Sequence, residues 1–225
     1  MRRAFSTAST CESVRVDLRR LLRETAQPVA VVTALMPAQH RHDAAEPHSR
    51  FHGATLSSFS SIAMDPHPLV AFSLRIPSRM ATSLKEAHAA WPSHMVVNIL
   101  AAPQAELAIR FSRPDLHGSP FDGVPYALSE EGLPVLQGSI GALSCQLVTP
   151  PWPLHNLEAL RRGEHPGELE WEGDGVASEL FIARVTRVES SSDDSRTPLL
   201  YHRRAYATTV DITSPQATSS RTPKS

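Results

Sequence analysis

The sequence predicts a mainly β protein, an antiparallel barrel with helical excursions, and three observations predict it. Seven short apolar or alternating segments have strand character, at about 29–36, 51–58, 68–75, 94–100, 139–148, 178–188 and 199–206. Only three segments, at about 14–26, 78–90 and 103–111, have helical periodicity. Strands and helices do not alternate as a parallel βαβ sheet requires, and no internal repeat is present.

The first helix rests on Val14, Leu18, Leu21 and Leu22 at helical spacing, with Arg15, Arg19, Arg20 and Arg23 on other faces and Pro28 as a stop. "VAVVTALM" (29–36) is short, β-branched and apolar, as a strand buried on both faces would be. The polar run 37–50 reads as an extended hairpin loop. In "ELFIARVTRVE", Leu180, Ile182, Arg184, Thr186 and Val188 share one face of a strand, and Phe181, Ala183, Val185 and Arg187 the other. Pro103 suits the first turn of the third helix. The Pro-, Gly- and Glu-rich stretch 149–175 is long for a connection and reads as a lid or surface excursion. Residues 211–225 lack the apolar residues that would offset ordering entropy and read as a disordered tail.

A chain of 225 residues can bury about 70% of its unfolded surface, enough for one large domain, here 14–210, or two small ones. With 22 basic and 23 acidic side chains it carries no electrostatic footprint for nucleic acid or an anionic membrane surface. Its apolar runs are far shorter than the ~20 residues of a membrane span. Two cysteines, Cys11 and Cys145, are too few for a disulfide framework and suggest a reducing compartment. The first 24 residues hold six arginines and "RAFS", the pattern of a mitochondrial targeting segment, so residues 1–13 are either its remnant or a basic tail on a cytoplasmic protein. His40, His42, His48 and His52 crowd one region, but their spacing lacks a firm ligand geometry, so no metal is expected. No GxSxG stands at a strand-to-helix turn, which disfavours a Ser/His/Asp hydrolase.

The chemically suggestive stretch is "GATLSSFSSIAMDPHPLVAFSLR" (53–75), in which Thr55, Ser57, Ser58, Ser60, Ser61 and Ser73 gather around a turn beside an apolar strand. Small hydroxyls and exposed backbone N–H groups suit a flat, acceptor-rich ligand such as an isoalloxazine ring. Turn and edge residues that bond their own backbone would give the same pattern. From this stretch alone both readings stay open.

Chain order adds a resemblance. "QPVAVVTA", "GATLSSFSSIAMDPHPLVAFSLRIPSRM", "VVNILAAPQAELAIRFS", "GLPVLQGSIGALSCQL", "ELFIARV" and "PLLYHRRAY" follow one another as in the flavin reductase-like family of FMN-binding split barrels, over about residues 20–207. The resemblance implies a homodimeric split β-barrel holding FMN, or FAD, non-covalently near the subunit interface. It implies that Thr55, Leu56, Ser57 and Ser58 meet the isoalloxazine and ribityl chain, and that Ser73, Leu74 and Arg75 continue along the ribityl. Ser78 and Arg79 would take the phosphate, as a helix N-terminus with a guanidinium can. Asn98, Leu100 and Gln104 would flank the flavin, with Phe111 and Ser112 closing the site. The implied reaction is hydride transfer from NADH or NADPH to the flavin. No GxGxxG follows a strand, so the nicotinamide would stack on the flavin directly.

Two positions depart from the family pattern. Where many members carry "GDH", its histidine near the nicotinamide, this chain reads Val176, Ala177, Ser178; and the Thr expected two residues after Ser78 is Met80. His202 and Tyr206 of "YHRRAY" are the next candidates for the reactive face, with His202 as the catalytic candidate. The departures leave a second expectation open, a flavin-binding carrier, sensor or assembly protein with little reductase turnover. A third is a split barrel that holds another cofactor, such as haem or pyridoxal phosphate.

Overall fold

The computed structural model describes residues 7–36, 50–89, 94–113, 116–117, 119–163, 176–190 and 195–210. Residues 37–49 of the expected loop 37–50, most of the second half of 149–175 and the tail after 210 lie outside them, as do His40, His42 and His48.

The main sheet is antiparallel, and its strands run in the order β3 (Phe51–Leu56), β2 (Ala30–Leu35), β6 (His94–Ile99), β9 (Gly141–Leu147), β11 (Ala177–Ser190), β5 (Leu69–Ile76) and β4 (Ser60–Ala63). β2 lies between β3 and β6, and its two faces feed two different cores. Ala30 and Val32 pack with Leu56, Phe72, Met80, Leu84 and Phe181; Val31, one residue away, packs with Phe51, Leu100, Phe111 and Phe121. A strand buried on both sides has no polar face to show, which is why it reads as an apolar run broken only by Thr33, whose Oγ1 donates to the Pro134 carbonyl at 2.7 Å.

β11 holds the sheet together. Its first half pairs with β5 and its second with β9, with a bulge between Val185 and Arg187. Ala177, Glu179, Phe181 and Ala183 point inward, and Phe181 stacks on Phe72 with ring centroids 5.5 Å apart and planes 4° from parallel. Trp152–Pro153 (β10) adds a short pairing on β11. The short helix α4 (Leu157–Arg162) follows, capped by Asn156, whose Oδ1 accepts the Ala159 N–H at 2.9 Å.

The sheet curls around the first core, so that the end of β3 approaches β5 without a ladder between them. Ser58, just past β3, accepts the Ser73 N–H at 2.9 Å, and the two hydroxyls lie 3.1 Å apart. Helix α2 (Arg79–Ala89) covers that core through Met80, Ala81 and Leu84; helix α3 (Ala105–Ser112), entered through the 3-10 turn Ala102–Gln104, covers the second through Ala108 and Phe111.

Several elements differ from expectation. α1 runs from Thr7 to Arg23, seven residues earlier than its apolar spacing begins, and Val14, Leu18, Leu21 and Leu22 are exposed. The expected strand 199–206 is a hairpin, β12 (Leu200–His202) and β13 (Ala205–Ala207). It turns at Arg203 and Arg204, both left-handed at φ 50° and 67°. Two arginines are unusual there; the Arg203 N–H donates to the Arg23 carbonyl at 3.0 Å and its Nε to Glu24 at 2.8 Å, which anchors the turn to the end of α1. β12 also pairs with β1 (Gln27–Pro28), and a second small hairpin joins β7 (Tyr126–Leu128) to β8 (Pro134–Leu136). No described helix is long and apolar enough to cross a membrane.

Candidate functional site

The gap between the end of β3 and β5 opens into a cleft of about 800 Å³. Seven consecutive residues, His52 to Ser58, line it. Successive side chains of a strand point to opposite faces, so an unbroken run means that the cleft follows the free edge of β3, where backbone groups with no neighbouring strand are available.

Gly53 makes room for the inner wall. A Cβ there would stand 2.5 Å from both Cδ1 and Cε1 of Phe111, so glycine lets the ring lie against the strand. Phe111 is fixed in turn by Phe121, edge to face at 5.0 Å. The hydroxyls are used unequally. Thr55 Oγ1 donates to the Ala108 carbonyl at 2.7 Å, tying β3 to α3, and Ser58 is engaged with Ser73. Ser57 is exposed, and its hydroxyl has no partner among the described residues.

The far end of the cleft is electropositive. Ser78 caps α2, its Oγ accepting the Ala81 N–H at 3.2 Å, and this leaves the amides of Arg79 and Met80 without an intrahelical acceptor. Pro77, Ser78, Arg79 and Met80 all line the cleft, as does Arg75. Neither arginine has an ion-pair partner among the described residues, and no carboxylate lines the cleft. Helix dipole and guanidinium act in the same sense there. Met80, where the family pattern expects Thr, is a core side chain only 1% exposed.

Of the residues expected at the site, Thr55, Leu56, Ser57, Ser58, Ser73, Leu74, Arg75, Ser78, Arg79, Phe111 and Ser112 all line this cleft. Asn98, Leu100 and Gln104 do not. Asn98 is fully buried: it donates to the Val31 carbonyl at 3.2 Å and accepts the Leu136 N–H at 2.8 Å, holding the β8 segment against β6 and β2. Leu100 belongs to the second core, and Gln104 accepts the Ala101 N–H and donates to the Gln137 carbonyl. His202 also stays off the cleft wall, because its strand neighbour Tyr201 points inward in its place. Tyr201 and Tyr206, paired across the β12–β13 hairpin at 5.5 Å, close one side, and burial, reinforced by Tyr201, raises the Tyr206 phenol above its ordinary range. Ser178, standing where the family histidine is expected, lines the cleft too.

His52 enters the site as a residue the sequence places only in a histidine-rich region. It is 5% exposed and lines the cleft beside Arg79. Burial first, and the Arg79 charge second, hold its ring down to about 4. Its signal in the sequence is the alternation of β3, which puts 52, 54 and 56 on the α2 side. Among the described residues no group of three His, Cys, Asp or Glu side chains could hold a metal.

The donor set suits a flat, acceptor-rich ligand with an anionic end: a free strand edge, an unpartnered hydroxyl, an aromatic wall, then a helix N-terminus with two arginines and no acid. Known proteins resemble this chain in sequence and in fold. A curated FMN reductase (NADH) from Agrobacterium fabrum is 33% identical over 94 residues, covering 42% of this chain and 49% of its own length, so the match spans about half of that relative. A flavin reductase from Pseudomonas putida is 28% identical over 168 residues, 72% of this chain and 77% of the relative. Among solved structures, an NADH:FAD oxidoreductase from Streptomyces globisporus in complex with NAD and FAD fragments shares the fold, with a TM-score of 0.59 at 24% identity over 90% of this chain and 94% of that one. The family model for the flavin reductase like domain matches residues 22–209, nearly the whole described body, and the chain belongs to that family.

Proposed function

We propose that this chain is an oxidoreductase that binds FMN in the cleft along β3 and takes reducing equivalents from NADH or NADPH. The observation that carries the reading is the electropositive end of the cleft. A strand edge leads to the N-terminus of α2, where Arg75 and Arg79 stand with no carboxylate on the cleft wall and no ion-pair partner among the described residues. FAD would need room beyond the phosphate; FMN ends there.

In this reading the β3 edge and Ser57 orient the ring system, Ser73 and Arg75 follow the ribityl chain, and Ser78, Arg79 and the first α2 amides hold the phosphate. Phe111 and the Tyr201–Tyr206 pair exclude water from either side. When bound, the flavin supplies the redox chemistry, accepting a hydride from the reduced nicotinamide and a proton from solvent. Ser178 offers a hydroxyl where relatives place histidine, so nicotinamide orientation rests on the tyrosines and the flavin face. The fold in this reading is a split barrel completed as a homodimer, with the apolar face of α1 covered by the second copy; light scattering of the purified protein measures that mass.

Anaerobic addition of NADH, then NADPH, to the FMN-loaded protein tests the reading. Bleaching of the flavin band within seconds by either donor is the expected result. Flavin that binds but bleaches only over many minutes would instead favour a carrier or sensor, the second reading that Ser178 motivates. A protein that takes up no flavin would refute both.

A further inference from the structure

We propose that His52 is a proton-accepting contact of the phosphate subsite, so that FMN binds with transfer of a proton from solvent to the His52 ring and phosphate recognition strengthens as pH falls. This rests on the flavin reading above and concerns a residue that it leaves without a role.

His52 is a buried imidazole that makes no hydrogen bond or ion pair with any described residue, and it faces the cleft. Its ring nitrogens are not sealed inside the protein but open onto the cleft, so a ligand that fills the cleft takes the place of the solvent they meet there. The neighbour whose charge it feels is Arg79, the first residue of α2, where the helix amides also lack acceptors. The unfilled imidazole and the anion-seeking helix end are thus one subsite, assembled from β3 and α2.

The charges around the ring set the direction of the change. Arg79 comes from α2 and is the charge that acts on the ring; Lys85, further along α2, stands off the cleft wall and is engaged by Glu179 of β11 at 3.2 Å. Arg75 comes from β5, and Tyr201 and Tyr206 from the β12–β13 hairpin. With cations in excess and no carboxylate on the cleft wall, nothing supports an imidazolium in the free protein, and the ring is held down to about 4. A phosphate monoester brings a charge of about −1.5 to −2, outweighing Arg79 and reversing the local field. The ring then gains a proton, and its N–H donates to a phosphate oxygen. Because its pKa is higher in the complex than in the free protein, affinity rises as pH falls between the two values, by up to about tenfold per pH unit. The phosphate itself loses a proton on binding with its second pKa near 6, the opposite sign, so only comparison with a His52 variant isolates the ring.

The test is calorimetric titration of flavin-free protein with FMN and with riboflavin at about pH 6, in two buffers of different ionisation enthalpy. The chains are wild type, His52→Gln and His52→Asn. The proposal predicts that wild type takes up more protons with FMN than either variant, by up to one per site. It predicts that riboflavin shows no such difference, and that the loss of FMN affinity in the variants, up to about tenfold at pH 6, shrinks toward pH 8. Equal proton counts in wild type and variants would overturn the proposal while leaving flavin binding intact. No FMN binding by wild type would overturn the flavin reading itself. Should neither variant fold, the wild-type histidine NMR resonances decide. One that titrates low in the free protein and moves up with FMN but not riboflavin supports the proposal, and the absence of such a shift refutes it.

Discussion

Replacing Gly53 by alanine separates a steric role from a merely conformational one, because the two predict opposite signs. An alanine in a strand restricts the unfolded chain and, where it fits, stabilises by about 0.5–1 kcal/mol. Here it does not fit. Its Cβ would meet two Phe111 ring carbons at 2.5 Å, and that ring is 2% exposed and locked against Phe121. Relief requires the ring, the Phe51–Phe121 cluster or the β3 backbone to move, and overpacking of this kind costs about 1–3 kcal/mol. The net expectation is a loss of about 1–2 kcal/mol, or roughly 2–8 °C in melting temperature for a chain of this size. Gly53 and Phe111 both line the cleft, so flavin affinity falls as well. Thermal unfolding and fluorescence titration with FMN measure the two effects, and Phe111→Leu in the Gly53→Ala background is expected to recover part of the stability. A Gly53→Ala protein as stable as wild type, with unchanged FMN affinity, would refute the reasoning.

Arg79→Gln removes a charge-assisted contact worth about 1.5–3 kcal/mol; FMN binding weakens tenfold or more while riboflavin binding, measured in parallel, stays within twofold. Asn98→Ala leaves the buried Leu136 N–H without its acceptor, removes the second donor to the Val31 carbonyl and costs about 1–3 kcal/mol in denaturant unfolding, with FMN affinity of the folded variant unchanged. In the ligand-free protein the His52 ring is held down to about 4, below the 6.5 of the unfolded chain, so the unfolded state binds more protons between those values. Stability from this residue is therefore complete above about pH 6.5 and is lost as pH falls toward 4, by about 3 kcal/mol in total; unfolding midpoints across that range lose this slope in His52→Gln.

The elements legible in the sequence are those whose pattern is local. β2 shows as an apolar run because both its faces are buried, and β11 as a strand whose period-two face carrying Phe181 and Ala183 is the buried one. The β12–β13 hairpin was hidden because Arg203 and Arg204 occupy left-handed positions that sequence patterns assign to Gly or Asn; what holds them is Glu24 and the Arg23 carbonyl, nearly the whole chain away. The site divides in the same way. The hydroxyl-rich stretch announced the cleft, but the sequence could not show that Thr55 and Ser58 spend their hydroxyls inside the protein while Ser57 does not. Asn98 and Gln104 read as ligand contacts from their place in the chain, whereas their partners, Leu136 and Gln137, become visible only once β8 folds back. His52 was obscured by the histidines before it, and it becomes chemically distinct only when α2 brings Arg79 alongside.

The central claim is that a flavin lies along the free edge of β3 with its phosphate at the start of α2. A crystal structure of the protein with FMN tests it most directly. The phosphate is expected within hydrogen-bond distance, roughly 3.5 Å or less, of Ser78 and Arg79, and the ring system against residues 55–58 and Phe111. FMN bound elsewhere on the chain, or with its phosphate away from α2, would contradict it.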